Sequence, residues 1–515
     1  MKKPIFARFL AKSVKEDRTK IEEKGTGYDR IIKYTGVFGG VQTLTNLITL
    51  VKGKLVASLI GSAGMGITTV FNRSIDLISR TTDLGISFSA VKTVSEHADD
   101  PADTIRAIRS WSLWLAVLGT FVCFLLAPVF SRQNFDGDYS YTLSFRLLSL
   151  VVGFTSIAAT ERAIMKGTQL LKSLAMNQIY CVMATLLVTI PIYIIMGMAG
   201  IVPVLVLTAL ANLVLTCSYS FRMFPYRVSL FSRKVFHDGA FIVRLGINYT
   251  LAGFFGSGMM FLVSSYMMKH GSAEDVGYYS NAVILVSYLS MLVFSAVETD
   301  FFPRLSAVNQ NKTQSNVLVN EQIEVLILLV APMVVVFMLM LPIIVPLVLK
   351  RDFMPLVDVA QWAAAALLFT ALTRPMSFMS LSKGDSFTYL IQELFYDVFM
   401  AISVIIGYQK GGLLWAGVAV FASSVFDWVL NGVITRVRYG FHSNGKVRLF
   451  ALMHGIIVGG ALCLFRLTDG WAYWLGGCAI AALSCGVSLY YLSKETNFLQ
   501  KIAHKLKINI AENNE

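Results

Sequence analysis

Fourteen stretches of about twenty apolar residues follow one another along this chain, at residues 34–59, 66–90, 108–130, 144–163, 174–196, 200–221, 241–266, 278–302, 324–349, 356–380, 389–408, 412–435, 449–465 and 471–492. A stretch of that length spans the hydrocarbon core of a bilayer as a helix, and in hydrocarbon only helices and closed barrels satisfy their own backbone. The series predicts an all-α polytopic membrane protein of fourteen spans, with twelve as the alternative count. A composition 55% hydrophobic and 15% charged over 515 residues gives no sign of a soluble catalytic domain.

The basic residues test the count. With the N-terminus in the cytoplasm, the tails and alternate loops hold thirty-one of the forty-four Lys and Arg, whereas the opposite loops hold six. By the positive-inside rule this predicts both termini cytoplasmic and makes most of the +13 net charge an orientation signal, not a nucleic-acid footprint. The basic N-terminal segment 1–33 lacks the apolar core of a cleaved signal peptide. Within it Ile5, Phe6, Phe9, Leu10 and Val14 share one helical face, which suits a helix lying on an anionic leaflet; a solvated basic tail is the alternative. The basic loop 222–240 divides two six-helix lobes, 34–221 and 241–435. A loop at 436–448, two extra helices over 449–492 and a cytoplasmic tail, 493–515, complete the chain. Gly61-Ser62-Ala63 and Gly271-Ser272-Ala273, each before an equivalent span, are a faint repeat of the kind found in secondary transporters.

The most informative charges lie inside the second stretch. Arg73, Asp76, Arg80 and Asp83 are spaced three, four and three residues apart, so a helix puts all four on one face, which Thr69 and Ser87 extend. A stripe like this cannot face lipid and predicts a watery, protein-enclosed interior. Self-neutralisation, Arg73 with Asp76 and Arg80 with Asp83, is the plainer alternative. It leaves two further basic residues in the bilayer unexplained, Lys52 and Arg374. Lys52 ends a polar stripe of the first stretch, Gln42, Thr45 and Thr49, while Lys54 points about 160° away. A cationic cavity follows, with Lys52, Lys54, Arg73, Arg80 and Arg374 as candidate substrate-binding residues and Asp76 and Asp83 as their charge partners. Arginine recognises phosphate oxygens bidentately, so a phosphate-bearing anionic substrate is favoured over a cationic drug.

Acidic residues cluster in the second half. Glu393 and Asp397 are one turn apart in the eleventh stretch, beside Tyr389 and Tyr396, and Asp427 lies in the twelfth. Carboxylates so placed suit binding of a proton or sodium ion; pairing with Arg374 as structural glue is the alternative. The six cysteines fall in apolar runs without paired spacing, which indicates packing, not disulfides or metal. The chain has no P-loop, His-Glu-x-x-His or Gly-x-Ser-x-Gly motif. The expectation is a secondary transporter with no ATPase motif and no cofactor beyond a possible coupling ion.

Gly53-Lys54-Leu55-Val56-Ala57-Ser58-Leu59-Ile60-Gly61, Gly64-Met65-Gly66, Leu84-Gly85-Ile86, Val91-Lys92-Thr93-Val94-Ser95-Glu96, Met165-Lys166-Gly167, Asp275-Val276-Gly277-Tyr278-Tyr279 and Phe302-Pro303-Arg304-Leu305-Ser306 together resemble the O-antigen translocases. The resemblance covers roughly residues 30–440. It points to the polysaccharide-exporting branch of the multidrug/oligosaccharidyl-lipid/polysaccharide (MOP) exporter superfamily. That implies a MATE-like fold of two six-helix lobes around a central cavity, with 449–492 beyond the twelve-helix core. It also implies a flippase of the bacterial inner membrane, moving undecaprenyl-diphosphate-linked oligosaccharide from the cytoplasmic to the periplasmic leaflet. Partners on this reading are the lipid-linked substrate, membrane lipids, and polymerase and glycosyltransferases of polysaccharide assembly. The resemblance favours Lys54 as the cavity lysine where the polar stripe favours Lys52. It also implies a second-lobe cation site over helices seven, eleven and twelve, for which Glu393, Asp397 and Asp427 are candidates and Asn248 a looser one. The competing readings are a cation-coupled multidrug exporter of the same superfamily, which the basic cavity residues oppose, and a non-transporting membrane scaffold, which would not need charges deep in the membrane.

Overall fold

The computed structural model describes residues 27–96, 101–135, 138–168, 171–229 and 232–496, so the amphipathic face expected at residues 5–14 lies outside the described residues. All regular structure among them is helical. The order is α1 (Gly27–Asp83), α2 (Ile86–Glu96), α3 (Ala102–Asn134), α4 (Thr142–Gly167), α5 (Leu171–Met196), α6 (Ile201–Met223), α7 (Arg233–His270), α8 (Ala273–Ala307), α9 (Lys312–Val348), α10 (Leu356–Ser382), α11 (Ser386–Tyr439), α12 (Gly445–Leu467) and α13 (Gly470–Thr496).

The protein is an all-helical, multi-pass membrane protein; among the described residues nine helical stretches are long and apolar enough to cross a bilayer. Where the sequence predicts separate short spans, several are continuous. Ile48–Asp83 runs through most of the first two, Ser173–Met223 through the fifth and sixth, and Phe387–Tyr439 through the eleventh and twelfth. The seventh and eighth are α7 and α8. The joins in α1 and α11 are glycine breaks within continuous helices; the one in α11 directly follows the exposed Gln409 and Lys410. Gly61 (φ 68°) bends α1 and Gly412 (φ 65°) bends α11, both in a region that a side chain disfavours.

By packing, the chain divides into two compact units, Met1–Phe261 and Leu262–Glu515. The expected boundary loop at 222–240 lies within the first. In that unit α4 packs on α2, α3 and α6, and α1 packs on α3, α4 and α5. Lipid is as apolar as leucine, so close approach depends on small residues. A Cβ on Gly119 of α3 would lie 2.5 Å from Thr82 Oγ1 of α1, and one on Gly153 of α4 would lie 2.5 Å from Thr120 Oγ1 of α3. Aromatic rings fill the core beside α1. Phe71 meets Phe145 edge-on with centroids 5.1 Å apart, and Phe135 stacks on Tyr141 at 3.8 Å.

Arg109 and Glu161, each 2% exposed, join α3 to α4 through Nε to Oε1 at 2.8 Å and Nη2 to Oε2 at 2.9 Å. Arg109 also donates to the carbonyls of Phe224 and Pro225, Ser220 Oγ donates to Glu161, and the Ser229 N–H donates to Ser110 Oγ. The start of the connection after α6 is thereby tied onto α3 and α4. The sequence count places Arg109 in a cytoplasmic loop; in the structure it is fully enclosed.

In the second unit α10, with Ala360 and Ala363 to Ala366 buried, packs on α8, α9, α11 and α12. Helix α11 is a hairpin. Its arms touch where Gly407 meets Trp415 and Ala419, and Phe399 stacks on Phe426 at 4.0 Å. Its ends close at Asp385, which caps the helix at Thr388 and accepts from Arg438 Nη1 at 2.6 Å and Tyr439 Oη at 2.9 Å. Partial burial pushes the Asp385 carboxyl up, but hydrogen bonds from Thr388, Tyr439 and Arg438 outweigh this and hold it down at about 2. The two extra helices cover α9. Tyr473 Oη donates to the carbonyls of Met338 and Leu339, and Asn320 and Glu324 hold the 442–444 turn through His442 and Asn444. Between α12 and α13 a fully buried His454 bonds Ser488.

Candidate functional site

The charged face of α1 begins one turn after Thr69, whose hydroxyl donates to the Met65 carbonyl at 2.9 Å, and ends where Leu84 (φ 45°) and Gly85 (φ 72°) break the helix. On this face Arg73 is half-buried and Asp76 and Arg80 are exposed, while Phe71, Ile75 and Ile78 on the other faces are buried in the unit's core. Among the described residues no ion pair at salt-bridge distance joins the stripe. Asp76 stands within electrostatic range of both Arg73 and Arg80. Arg80 also reaches α7, where a Cβ on Gly253 would lie 3.1 Å from its Nη1.

Asp83 has a separate, local task. Its carboxylate accepts from the Ser87 N–H at 3.3 Å and the Ser87 hydroxyl at 2.9 Å, closing the turn into α2. The sequence expects one helix through this region; the break at Leu84 and Gly85 takes Ser87 off the stripe and gives Asp83 this role. In the first half of α1, Lys52 is half-buried and Lys54 exposed. Thr45 and Thr49, from the same predicted polar stripe, line a pocket with Arg162 of α4. Arg162 escapes the sequence reading because the basic count assigns it to a loop; its place inside a helix next to Glu161 was the available signal.

In the second unit the hairpin of α11 brings Glu393, Asp397 and Asp427 together from its two arms, within electrostatic range of Tyr396 and of Tyr279 on α8. Arg374 of α10 is within electrostatic range of Asp427, and its guanidinium lies 5.9 Å from the Phe294 ring centroid. Asn431 Nδ2 donates to Asp427 Oδ1 at 2.8 Å. Two acids and a tyrosine on one arm thus face an acid and an amide on the other, with one guanidinium nearby. The side chain of Asn248 lies outside the described residues. Among the described residues no group of three His, Cys, Asp or Glu is placed to hold a metal ion.

A family model described as polysaccharide biosynthesis protein matches residues 31–309. No curated protein matches the chain. Among solved structures, it is similar to the lipid II flippase MurJ in an inward closed conformation, at 11% identity over 89% of this chain and 99% of that one, with a TM-score of 0.69. It is also similar to a multidrug resistance MATE family transporter of the MOP superfamily in an inward-facing conformation, at 16% identity over 77% of this chain and 94% of that one, TM-score 0.64. A MOP superfamily transporter from Pyrococcus furiosus, described by a reverse polarity of its binding pocket, matches at 16% identity over 80% and 95%, TM-score 0.56. These likenesses give the fold, which is MATE-like.

Proposed function

The chain belongs to the polysaccharide biosynthesis protein family, and on that premise we propose that it is a flippase for undecaprenyl-diphosphate-linked oligosaccharide. The cargo on this reading is an O-antigen or other surface polysaccharide repeat unit, as in lipopolysaccharide assembly, carried from the cytoplasmic to the periplasmic leaflet of a bacterial inner membrane by alternating access. The observation that carries the proposal is the Arg73, Asp76 and Arg80 face of α1. It offers two guanidinium groups, without an ion pair among the described residues, on a helix whose other faces are apolar core. A diphosphate supplies both the missing negative charge and oxygens for bidentate hydrogen bonds. Asp76 between the arginines keeps the site from holding the diphosphate too tightly to release it. One of Lys52 and Lys54, which point to opposite sides of the same helix, is a further cation for the anionic headgroup.

Glu393, Asp397 and Asp427 form the site for a coupling proton or sodium ion, and Arg374 is the internal cation that competes with it. An ion that binds one conformation better than the other biases the cycle by that difference in affinity. Glycosyltransferases that build the repeat unit and a polymerase that consumes it are the partners on either side of the step. The test is a deletion strain: cytoplasmic lipid-linked repeat units should accumulate and disappear when the unmutated gene is restored. Normal export without the protein would overturn the proposal.

A further inference from the structure

Helices α1, α4 and α5 line an open pocket of about 280 Å³ within the first unit. Its lining includes Thr49 of α1, Arg162 in the last turns of α4, and Asn177, Gln178 and Cys181 in the first turns of α5. Arg162 is the one permanently charged group among the lining residues, and no carboxylate joins it there. Among the described residues it forms no ion pair. Its neighbour Glu161 is committed elsewhere, to Arg109 and Ser220. A guanidinium inside a helical bundle is costly without a counter-charge. The lining supplies amides and hydroxyls around it but no anion.

We propose that this pocket is an anion site for a phosphate or diphosphate group, with Arg162 as its charge partner and the Gln178 amide and Thr49 hydroxyl as neutral donors; the Asn177 amide is spent on Thr216. Size sets the ligand class. The volume falls just below the ~300–1,000 Å³ of drug-sized ligand sites. It admits a headgroup-sized anion. The planar guanidinium matches two phosphate oxygens at once. The site lies on α4 and α5, apart from the Arg73 and Arg80 face, and does not depend on the flippase reading. The phosphate can come from a free anion or from a phospholipid headgroup.

The experiment titrates the purified full-length protein with sodium pyrophosphate by calorimetry and thermal shift. Saturable binding is expected, at least tenfold weaker in Arg162→Gln and in Gln178→Glu, which places a carboxylate beside the guanidinium, and unchanged in Arg132→Gln, an exposed position in neither the pocket nor the α1 stripe. In the unmutated protein, phenylglyoxal modification of Arg162, read by peptide mass spectrometry, should slow when the site is filled. Protection by pyrophosphate in detergent identifies a free anion; protection only in nanodiscs of phosphatidylglycerol, and not of phosphatidylcholine, identifies a lipid headgroup. Absence of protection by either, or equal pyrophosphate affinity in all the variants, overturns the proposal.

Discussion

Arg73 and Arg80 share a face of α1, but only Arg80 lies against Gly253 of α7, so its position depends on a second helix. Arg73→Ala and Arg80→Ala should each abolish export in a complementation assay while the protein remains in the membrane at normal levels; full complementation by both would end the cationic-site model. Lysine at either position should retain part of the activity if charge matters more than bidentate geometry. Asp397→Asn should slow gradient-driven transport in liposomes without weakening binding of the lipid-linked substrate, and lost substrate binding would place Asp397 in the substrate site instead. Arg109→Ala should destabilise the first unit by ~3–5 kcal/mol, because it strands a buried carboxylate; melting of the detergent-solubilised protein measures it. At this scale the stripe was legible because three- and four-residue spacing is all that a helical face requires. The roles of Arg109 and Arg162 were not, since a loop cation and a buried one look alike in a charge count. Asp83 was read as part of the stripe because nothing in a helical periodicity announces the break that turns it into a cap.

Helix α11 shows what a local backbone feature does to a whole element. Gly412 at φ 65° lets fifty-four residues fold into two arms, and Gly412→Val forces a side chain into that region at a cost of ~1–2 kcal/mol, visible as a lower melting temperature. The clasp at the other end has its own pH signature. The Asp385 carboxyl is held at about 2 in the folded protein, below the ~3.9 of an unfolded chain. Its contribution is therefore complete above the unfolded value and is lost as pH falls toward 2. Melting temperature should fall in that acid range, and Asp385→Asn should flatten the dependence; an unchanged slope would remove the clasp. Two apolar runs separated by Gly411 and Gly412 were visible in the sequence, but their direct contact was not. Apolar length gives the number of arms, whereas side-by-side packing rests on Gly407, Ala419 and the rings of Phe399 and Phe426.

For the molecule as a whole, the all-helical membrane fold was legible because hydrocarbon leaves the backbone so few options. The place of the last two helices was not, since an apolar span carries no address for its neighbour. The structure sets them on α9 through Tyr473 and the 442–444 turn. Truncation after residue 440 should lower the yield of folded protein and its melting temperature, and an unaffected truncated chain would show that α9 needs no cover. The hairpin of α11 also orders events during synthesis. A chain enters the membrane segment by segment. Asp385 emerges from the ribosome well before Arg438 and Tyr439, the donors that clasp it. The first arm therefore waits, with Asp385 unclasped, until translation has reached the end of the second.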